Sequence, residues 1–524
     1  MNLVKEEIRR KDYDLKKNII CIYQNEICVN GEVFDNSGGK ILKDIVDSYT
    51  QNRKIKRKKK NIVFIYDIFR LNGWIMNIQG KEIKEYNNTT HSIETDNFIY
   101  VEFKTFDGSI SPRKLVKPYG LEDGPKSYIM YQFVKLRAEY DWNFGKNYSI
   151  THYNMKKFDD MFTEEEKLEL HAEGNYHYLT KAVLDDIYKS SAKPNLKAVI
   201  IDKVIEDLLS YDIKSFYPAT MCYLDDFPIG KVYEVDSSED LLTKMWNSFK
   251  NKKWFLAIFE SDNVLNDSAF KPEKVNGKNV YGLTLYDVAY FYLKKINVTS
   301  ILGAPVRLYR CTKCGYLNKV FTDKIIECYN FKEDKNNSEV ERHVKKIPLN
   351  TLYGYGMRKS LRDNKTSYYN FNAKPSYYIA PQISFHIVAY GRYYLERMKL
   401  KLSNVVYNDT DCIKTTDPNC HKIFEEENKR IKELLKNRGY DSTIGSWEFE
   451  GLMPRFIAFA PKCYMFETNE TFVCKFSGCR EKAIKEIKSF DEILLTKTVK
   501  NGKPLGRNRF ADYTVGKDNY EEEI

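Results

Sequence analysis

Tyr211-Asp212-Ile213-Lys214-Ser215-Phe216-Tyr217-Pro218 is the stretch that decides the fold. Asp212 follows the apolar run Leu208-Leu209-Ser210-Tyr211, so it stands at the end of a buried strand, and Pro218 stops the chain from continuing as regular sheet. The turn from Ile213 to Phe216 can aim backbone N–H groups at a triphosphate, and Ile213 can offer its carbonyl to a metal. Two further motifs follow in order. Lys346-Ile347-Pro348-Leu349-Asn350-Thr351-Leu352-Tyr353-Gly354 places Lys346, Asn350 and Tyr353 on one face of a helix. A lysine there can neutralise triphosphate charge, a flat Tyr can carry a base and Asn can read a minor-groove acceptor. Tyr407-Asn408-Asp409-Thr410-Asp411 puts two carboxylates at a hairpin tip, with Val405-Val406 leading in and Cys412-Ile413-Lys414 leading out. Brought together, Asp212, Asp409 and Asp411 form an oxygen-only cluster that suits two Mg²⁺ or Mn²⁺ ions rather than zinc. Such a site supports in-line displacement of pyrophosphate by a hydroxyl. Each motif alone has an ordinary explanation: a turn aspartate, an amphipathic helix, a solvated hairpin. All three in this order, separated by stretches long enough to fold, point to nucleotidyl transfer.

The composition bounds the rest. A chain of 524 residues is too long for one core, so roughly two to four structural units are expected. Hydrophobic residues make up 42%, enough for packed interiors, yet no run of about eighteen apolar residues occurs, which excludes a membrane helix. Residues 1–17 are mostly charged and lack the apolar core of a secretory signal, so a cytoplasmic location is expected, that of the host if the source is viral. The formal net charge of +11 suits a polyanionic partner. The 40 tyrosines and 30 phenylalanines, many beside lysines, suit a groove that tracks single strands, but an AT-rich coding sequence enriches the same residues, so the motifs must discriminate. The 11 cysteines are odd in number and without framework spacing, as in reduced thiols. Cys311-Thr312-Lys313-Cys314 lacks the second pair that a closed zinc site needs, so zinc is not expected.

Along the chain, 1–188 reads as mixed strand and helix, with β-rich runs at 18–29 and 61–69 and a helix between them at 41–49. The basic run 53–60 reads as a solvated loop. Helical spacing recurs at 158–188, and 190–194 reads as a linker. Apolar strands at 199–205 and 208–213 lead into the first motif. A strand at 254–260 and a helix near 285–294 lie between the first two motifs. Residues 338–357 and 381–402 have helical period, 404–415 is a hairpin, 457–477 is strand-rich, and the last forty or so residues form a polar tail.

This arrangement resembles the polymerase core of family B DNA polymerases, in particular the protein-primed branch of small phages and linear plasmids, whose motifs run Asp-x-x-Ser-Leu-Tyr-Pro, Lys-x-x-x-Asn-Ser-Leu-Tyr-Gly and Tyr-x-Asp-Thr-Asp-Ser. Here Phe216, Thr351 and Cys412 are mild departures. Lys462-Cys463-Tyr464 resembles the Lys-x-Tyr motif that holds the primer end, and Lys475-Phe476-Ser477-Gly478-Cys479 stands near the palm-to-thumb junction. Tyr188-Lys189-Ser190-Ser191 resembles the Tyr-x-Gly-Gly segment between exonuclease and polymerase domains.

The resemblance implies an α/β (α+β) right-hand fold of palm, fingers and thumb, preceded by an RNase H-like exonuclease-type domain. It implies Asp212, Asp409, Asp411 and the Ile213 carbonyl as metal ligands, the carboxylates being catalytic. Ser215, Phe216, Tyr217, Arg342, Lys346, Asn350 and Tyr353 would bind the nucleotide, with Tyr217 the gate against a ribose 2′-hydroxyl. Tyr188, Lys189, Thr351, Gly354, Thr410, Lys462, Tyr464 and Lys475 would contact primer and template. The partners implied are a DNA primer-template, dNTPs and a terminal priming protein. The domains implied are 1–188 exonuclease-like, 189–224 the start of the palm, 225–322 an insertion that seats the priming protein, 323–357 the fingers, 358–376 a short second insertion, 377–478 palm and 479–524 a small thumb.

Two departures matter. Pro348 lies inside the fingers helix, where a proline costs about 3 kcal/mol and bends the axis. The N-terminal domain lacks the family's exonuclease carboxylates: Gln24 begins the nearest Asp-x-Glu-like spacing within a strand, Asn72 precedes Gly73 in place of the second acid, and Gln132 ends Tyr128-Ile129-Met130-Tyr131-Gln132 in place of the third. Amides cannot supply the charge that holds two Mg²⁺ ions. The expectation is a DNA-directed DNA polymerase without 3′–5′ proofreading. A non-catalytic nucleic-acid or priming-protein binding component and a template-independent nucleotidyl transferase are the other readings of the same residues.

Overall fold

The computed structural model describes residues 19–36, 41–45, 61–66, 86–87, 92–94, 98–103, 112–113, 115–116, 120–139, 158–172, 201–236, 240–267, 269–337, 339–355, 359–362, 365–368, 381–460, 462–468, 471–476, 499–500 and 503–504. The chain divides into two compact units. One comprises 1–164, 327–351 and 359–370; the other comprises 165–326, 352–358 and 371–524.

The first unit is built on a seven-stranded sheet of β1 (Ile20–Tyr23), β2 (Glu26–Val29), β3 (Glu32–Asp35), β4 (Asn61–Ile65), β5 (Tyr86–Asn87), β6 (Ser92–Glu94) and β7 (Phe98–Glu102), in the order β3-β2-β1-β4-β7-β6-β5. β1 runs antiparallel to β2 and parallel to β4, and β4 runs parallel to β7, the RNase H-like arrangement that the resemblance implied. One face buries Ile20, Ile22, Ile27, Val63 and Tyr100. The other buries Cys21, Cys28, Phe64 and Val101 against Met130, Phe133 and Val134 of helix α1 (Lys126–Glu139). The run 18–29, expected as one strand, is a hairpin. Gln24-Asn25 forms its two-residue turn, with Gln24 in the left-handed region at φ 55°, the conformation that such a turn demands.

Helix α2 (Glu164–Ala172) opens the second unit, whose central sheet has six strands. β8 (Ile201–Ile213) is a single long strand rather than the two expected, with an irregularity marked by Asp207 at φ 51°. A tight turn passes from it into α3 (Phe216–Tyr223). The stretch that follows contains β9 (Phe227–Pro228), β10 (Val232–Val235), α4 (Leu241–Lys250), β11 (Phe255–Ser261), β12 (Glu273–Val275), β13 (Lys278–Thr284), α5 (Leu285–Leu293), α6 (Val298–Leu302), β14 (Arg307–Cys311) and β15 (Cys314–Gly315). Five of these strands form a sheet ordered β10-β14-β11-β13-β12, with its own core of Phe255, Ala257, Phe259, Tyr281, Leu283 and Phe291.

Helices α7 (Lys319–Glu333) and α8 (Glu339–Tyr355) follow, then the hairpin β16 (Lys359–Arg362) and β17 (Lys365–Tyr368). α9 (Pro381–Lys399) packs its buried face in the second unit. There Arg392 forms a buried ion pair with Asp287, the acidic member of the α5 capping box. The remaining elements are β18 (Val405–Asp409), β19 (Cys412–Thr415), α10 (Cys420–Lys436), β20 (Trp447–Ala460), β21 (Cys463–Glu467), β22 (Phe472–Phe476) and the short antiparallel pair β23 (Val499–Lys500) and β24 (Lys503–Pro504). The central sheet is ordered β18-β19-β8-β20-β21-β22. Among the described residues no helix is long and apolar enough to cross a membrane.

Candidate active site

Sheet pairing gathers the three carboxylates. β18 and β19 form a hairpin whose turn is Thr410-Asp411, with Thr410 left-handed at φ 61°. β19 pairs with β8 so that Cys412 faces Asp212, and the Ile213 N–H donates to the Asp411 carbonyl at 3.0 Å. Asp212, Asp409 and Asp411 therefore meet at one end of the β19–β8 pair, although 197 sequence positions separate Asp212 from Asp409. The Thr410 hydroxyl donates to Asp409 at 3.1 Å, and the Asp411 N–H to the Asp409 carbonyl at 2.7 Å, which holds the turn.

The electrostatics are those of crowded acids. Burial, then the charge of Asp411, pushes the Asp212 carboxyl up to about 8. Burial, then Asp409, pushes Asp411 up to about 6. The donor set is carboxylate and carbonyl oxygen, the chemistry that hard divalent cations prefer. Among the described residues no three His, Cys, Asp or Glu side chains converge as a formed metal-ligand group. The carboxylates are neighbours that repel, and a divalent cation would relieve that repulsion.

The first motif turns sharply. Lys214 and Ser215 separate strand from helix, Ser215 being left-handed at φ 50°, so the first N–H groups of α3 open at a helix N-terminus without intrahelical acceptors. Tyr217 is 6% exposed, and its ring lies 4.3 Å from that of Tyr353. Gly391 of α9 makes room for it: a Cβ there would meet Phe216 and Tyr217 ring carbons at 3.1 Å.

α8 runs unbroken through Pro348. Pro348, Leu349 and Leu352 are buried, whereas Lys346 and Asn350 are exposed and Tyr353 is half-buried, as the polar stripe led one to expect. Arg342, Lys346, Asn350 and Thr351 fall in the first unit, while Tyr353 and Gly354 fall in the second.

Lys462 occupies the turn between β20 and β21 at φ 61°, and its N–H donates to the Tyr407 hydroxyl at 3.2 Å. The Tyr464 ring stands 5.2 Å from that of Tyr407, and Lys475 is paired directly opposite Tyr464 on β22. The Lys-x-Tyr segment thus packs against the strand that carries Asp409. Tyr188, Lys189 and Asn72 lie outside the described residues. Gln24 sits in a hairpin turn, and Gln132 on α1 is held by the Glu122 backbone, whose N–H donates to Oε1 at 3.0 Å and whose carbonyl accepts from Nε2 at 3.0 Å.

Sequence reasoning missed Lys414, Glu448 and Glu450. All three lie on strands adjacent to β8, near Asp212. Alternation along Cys412-Ile413-Lys414 and Glu448-Phe449-Glu450 was the available signal, but it became informative only with the pairing of β19 and β20 onto β8.

The sequence matches no protein-family model and no curated protein. The fold is similar to that of solved DNA polymerases of family B architecture. In particular, the chain is similar to solved structures of phi29 DNA polymerase. With that enzyme complexed with single-stranded DNA it shares a TM-score of 0.61 at 12% identity, over 90% of this chain and 93% of the other. With the post-translocation binary complex on primer-template DNA the values are 0.59 and 12%, over 91% and 94%. With the ternary complex holding primer-template DNA and incoming nucleotide they are 0.55 and 12%, over 88% of each.

Proposed function

We propose that this chain is a DNA-directed DNA polymerase that joins deoxynucleotides to a primer on a DNA template. The observation that carries this reading is the assembly of Asp212, Asp409 and Asp411 at the β8–β18–β19 junction, beside the tilted ring pair of Tyr217 and Tyr353. The fold is shared with a polymerase solved on primer-template DNA and with incoming nucleotide, which makes the same partners the natural candidates here.

Asp212, Asp409, Asp411 and the Ile213 carbonyl would hold Mg²⁺ or Mn²⁺. Bound there, the ions supply Lewis-acid activation of the attacking hydroxyl and charge neutralisation of the departing pyrophosphate. The other parts belong to the chain. Open N–H groups at the start of α3 bind phosphate. The ring of Tyr217 closes the space a 2′-hydroxyl would need, and Tyr353 supports that ring from behind. Lys462, Tyr464 and Lys475 grip the primer end.

The N-terminal sheet serves as scaffold and DNA-binding surface without nuclease activity: Asn72 and Gln132 carry amides where the family's motifs have metal-holding acids, and the Gln24-x-Glu26 spacing falls at the β1–β2 turn instead of within one strand. The insertion 225–322, with its own sheet and core, is the candidate seat for a protein primer, and the β16–β17 hairpin is the short second insertion.

The test is extension of a 5′-labelled primer on a template with Mg²⁺ or Mn²⁺, beside an Asp409→Ala/Asp411→Ala control. Templated extension that disappears in the control is expected. Extension that persists without template would instead support terminal transfer. No extension with either metal, even with a candidate priming protein added, would leave the non-catalytic binding component as the surviving reading.

A further inference from the structure

Across the adjacent strands β19, β8 and β20, the sheet forms two successive rows. The front row is Cys412, Asp212 and Glu448; the row behind is Lys414, Ser210 and, at the bulge beside Gly451, Glu450. Residues two apart on a strand share a face about 7 Å apart, so the second row stands directly behind Asp212. Within it, Lys414 Nζ donates to Ser210 Oγ at 2.5 Å, and Ser210 Oγ donates to Glu450 Oε2 at 2.7 Å. Lys414 Nζ also lies 3.8 Å from that same carboxylate oxygen. The lysine side chain is 3% exposed, whereas that of Glu450 is 46% exposed. A buried ammonium is thus coupled, through one hydroxyl, to a carboxylate that reaches solvent beside the acid cluster.

A purely structural role explains this line poorly. The three strands are already paired by backbone hydrogen bonds, and a buried ion pair adds little net stability over an apolar side chain of similar size. Its position counts for more. Asp212, Asp409, Asp411, Glu448 and Glu450 crowd this end of the sheet; Lys214 pairs with the exposed Glu448 at 3.1 Å. Among the described residues, Lys414 is the buried cation that acts on Asp212, while the exposed Lys462 acts on Asp411.

We propose that Lys414 is a positioning residue for the divalent-metal site: through Ser210 it holds Glu450 back from Asp212 and offsets one charge of the acid cluster. The cluster then binds divalent metal weakly until a triphosphate arrives with its own charge. This inference rests on the polymerase reading and adds to it the coupling of metal loading to nucleotide.

The test is Mn²⁺ binding to the full-length, nucleotide-free protein, followed by electron paramagnetic resonance. Lys414→Met is expected to bind Mn²⁺ roughly three- to tenfold more tightly, the effect of one charge removed at about 7 Å in a partly solvated site. Lys414→Arg, which keeps the charge, should behave as wild type. Glu450→Gln, at a half-exposed position that folding tolerates, should bind about threefold or more weakly, because Lys414 then acts uncompensated. Adding Glu450→Gln to Lys414→Met should return the affinity toward wild type. Wild-type binding that Asp212→Asn weakens, but that neither Lys414→Met nor Glu450→Gln changes, overturns this inference alone. Wild-type protein that binds no Mn²⁺ even with a deoxynucleoside triphosphate added overturns the polymerase reading, and this inference with it.

Discussion

Asp212 is costly to keep ionised without a cation, since burial and Asp411 push its carboxyl up to about 8. In the unfolded chain the same group releases its proton near 3.8. Between those values the native state holds the proton that the unfolded state has lost, so stability falls as pH rises through the window and levels off above it. Asp411, raised to about 6, adds to the lower part of the same slope. Metal-free protein should therefore show a falling Tm over this range, Asp212→Asn should flatten the fall, and Mg²⁺ should raise Tm most at the alkaline end. A Tm that rises with pH would contradict this account of the cluster. Tyr217 makes a different prediction. Tyr217→Ala opens the space beside Tyr353 and should raise ribonucleotide use relative to deoxynucleotide by about tenfold or more. It should also lower stability by roughly 3 kcal/mol, the usual cost of emptying a buried aromatic site. Single-nucleotide insertion kinetics and urea unfolding measure the two effects separately.

Among the elements, the β18–β19 hairpin and the end of β8 carry the acids, but α9 fixes what lies behind them. Its Gly391 admits Phe216 and Tyr217, its Tyr394 accepts from the Trp447 indole N–H at 2.9 Å, and its Arg392 holds Asp287 across to α5. Arg392→Met strands a buried carboxylate and should cost about 3–5 kcal/mol in urea unfolding. Adding Asp287→Asn should cost far less than either change predicts alone, because the orphaned charge is gone. Additive losses would mean that the two residues act independently. α8 teaches the opposite lesson about local rules. It passes through Pro348 without ending, because Pro348, Leu349 and Leu352 are buried and their packing outweighs the lost hydrogen bond.

For the whole molecule, a net charge of +11 predicts binding that weakens steeply with salt. If some 6–10 phosphates are neutralised, affinity for primer-template should drop by about 10³-fold or more between roughly 50 and 200 mM salt. A flat response in fluorescence anisotropy would argue against a groove that tracks the backbone. The N-terminal unit predicts an absence: a labelled primer incubated with protein and Mg²⁺ should stay full length. Release of single nucleotides would show that acids outside the positions of Gln24, Asn72 and Gln132 complete a nuclease site.

Much of this was legible in the sequence. Asp212 before a proline-terminated turn, Asp409 and Asp411 around Thr410, and the Lys346–Asn350–Tyr353 stripe each express a local rule: strand end, two-residue hairpin, helical period. Such rules act over a few residues, so the elements and the candidate acids could be named without coordinates. The hairpin at Gln24 escaped because its two-residue turn sits inside a continuous β-rich run, where composition does not mark the reversal. What only the tertiary structure decided was adjacency. Lys414, Ser210 and Glu450 lie on three strands far apart in the chain, and nothing local says that β19 and β20 both pair with β8. Pairing partners are chosen by the packing of whole sheet faces, an energy summed over many distant residues. The three aspartates were therefore readable one at a time, and Lys414, Glu448 and Glu450 beside them only once the sheet had closed around them.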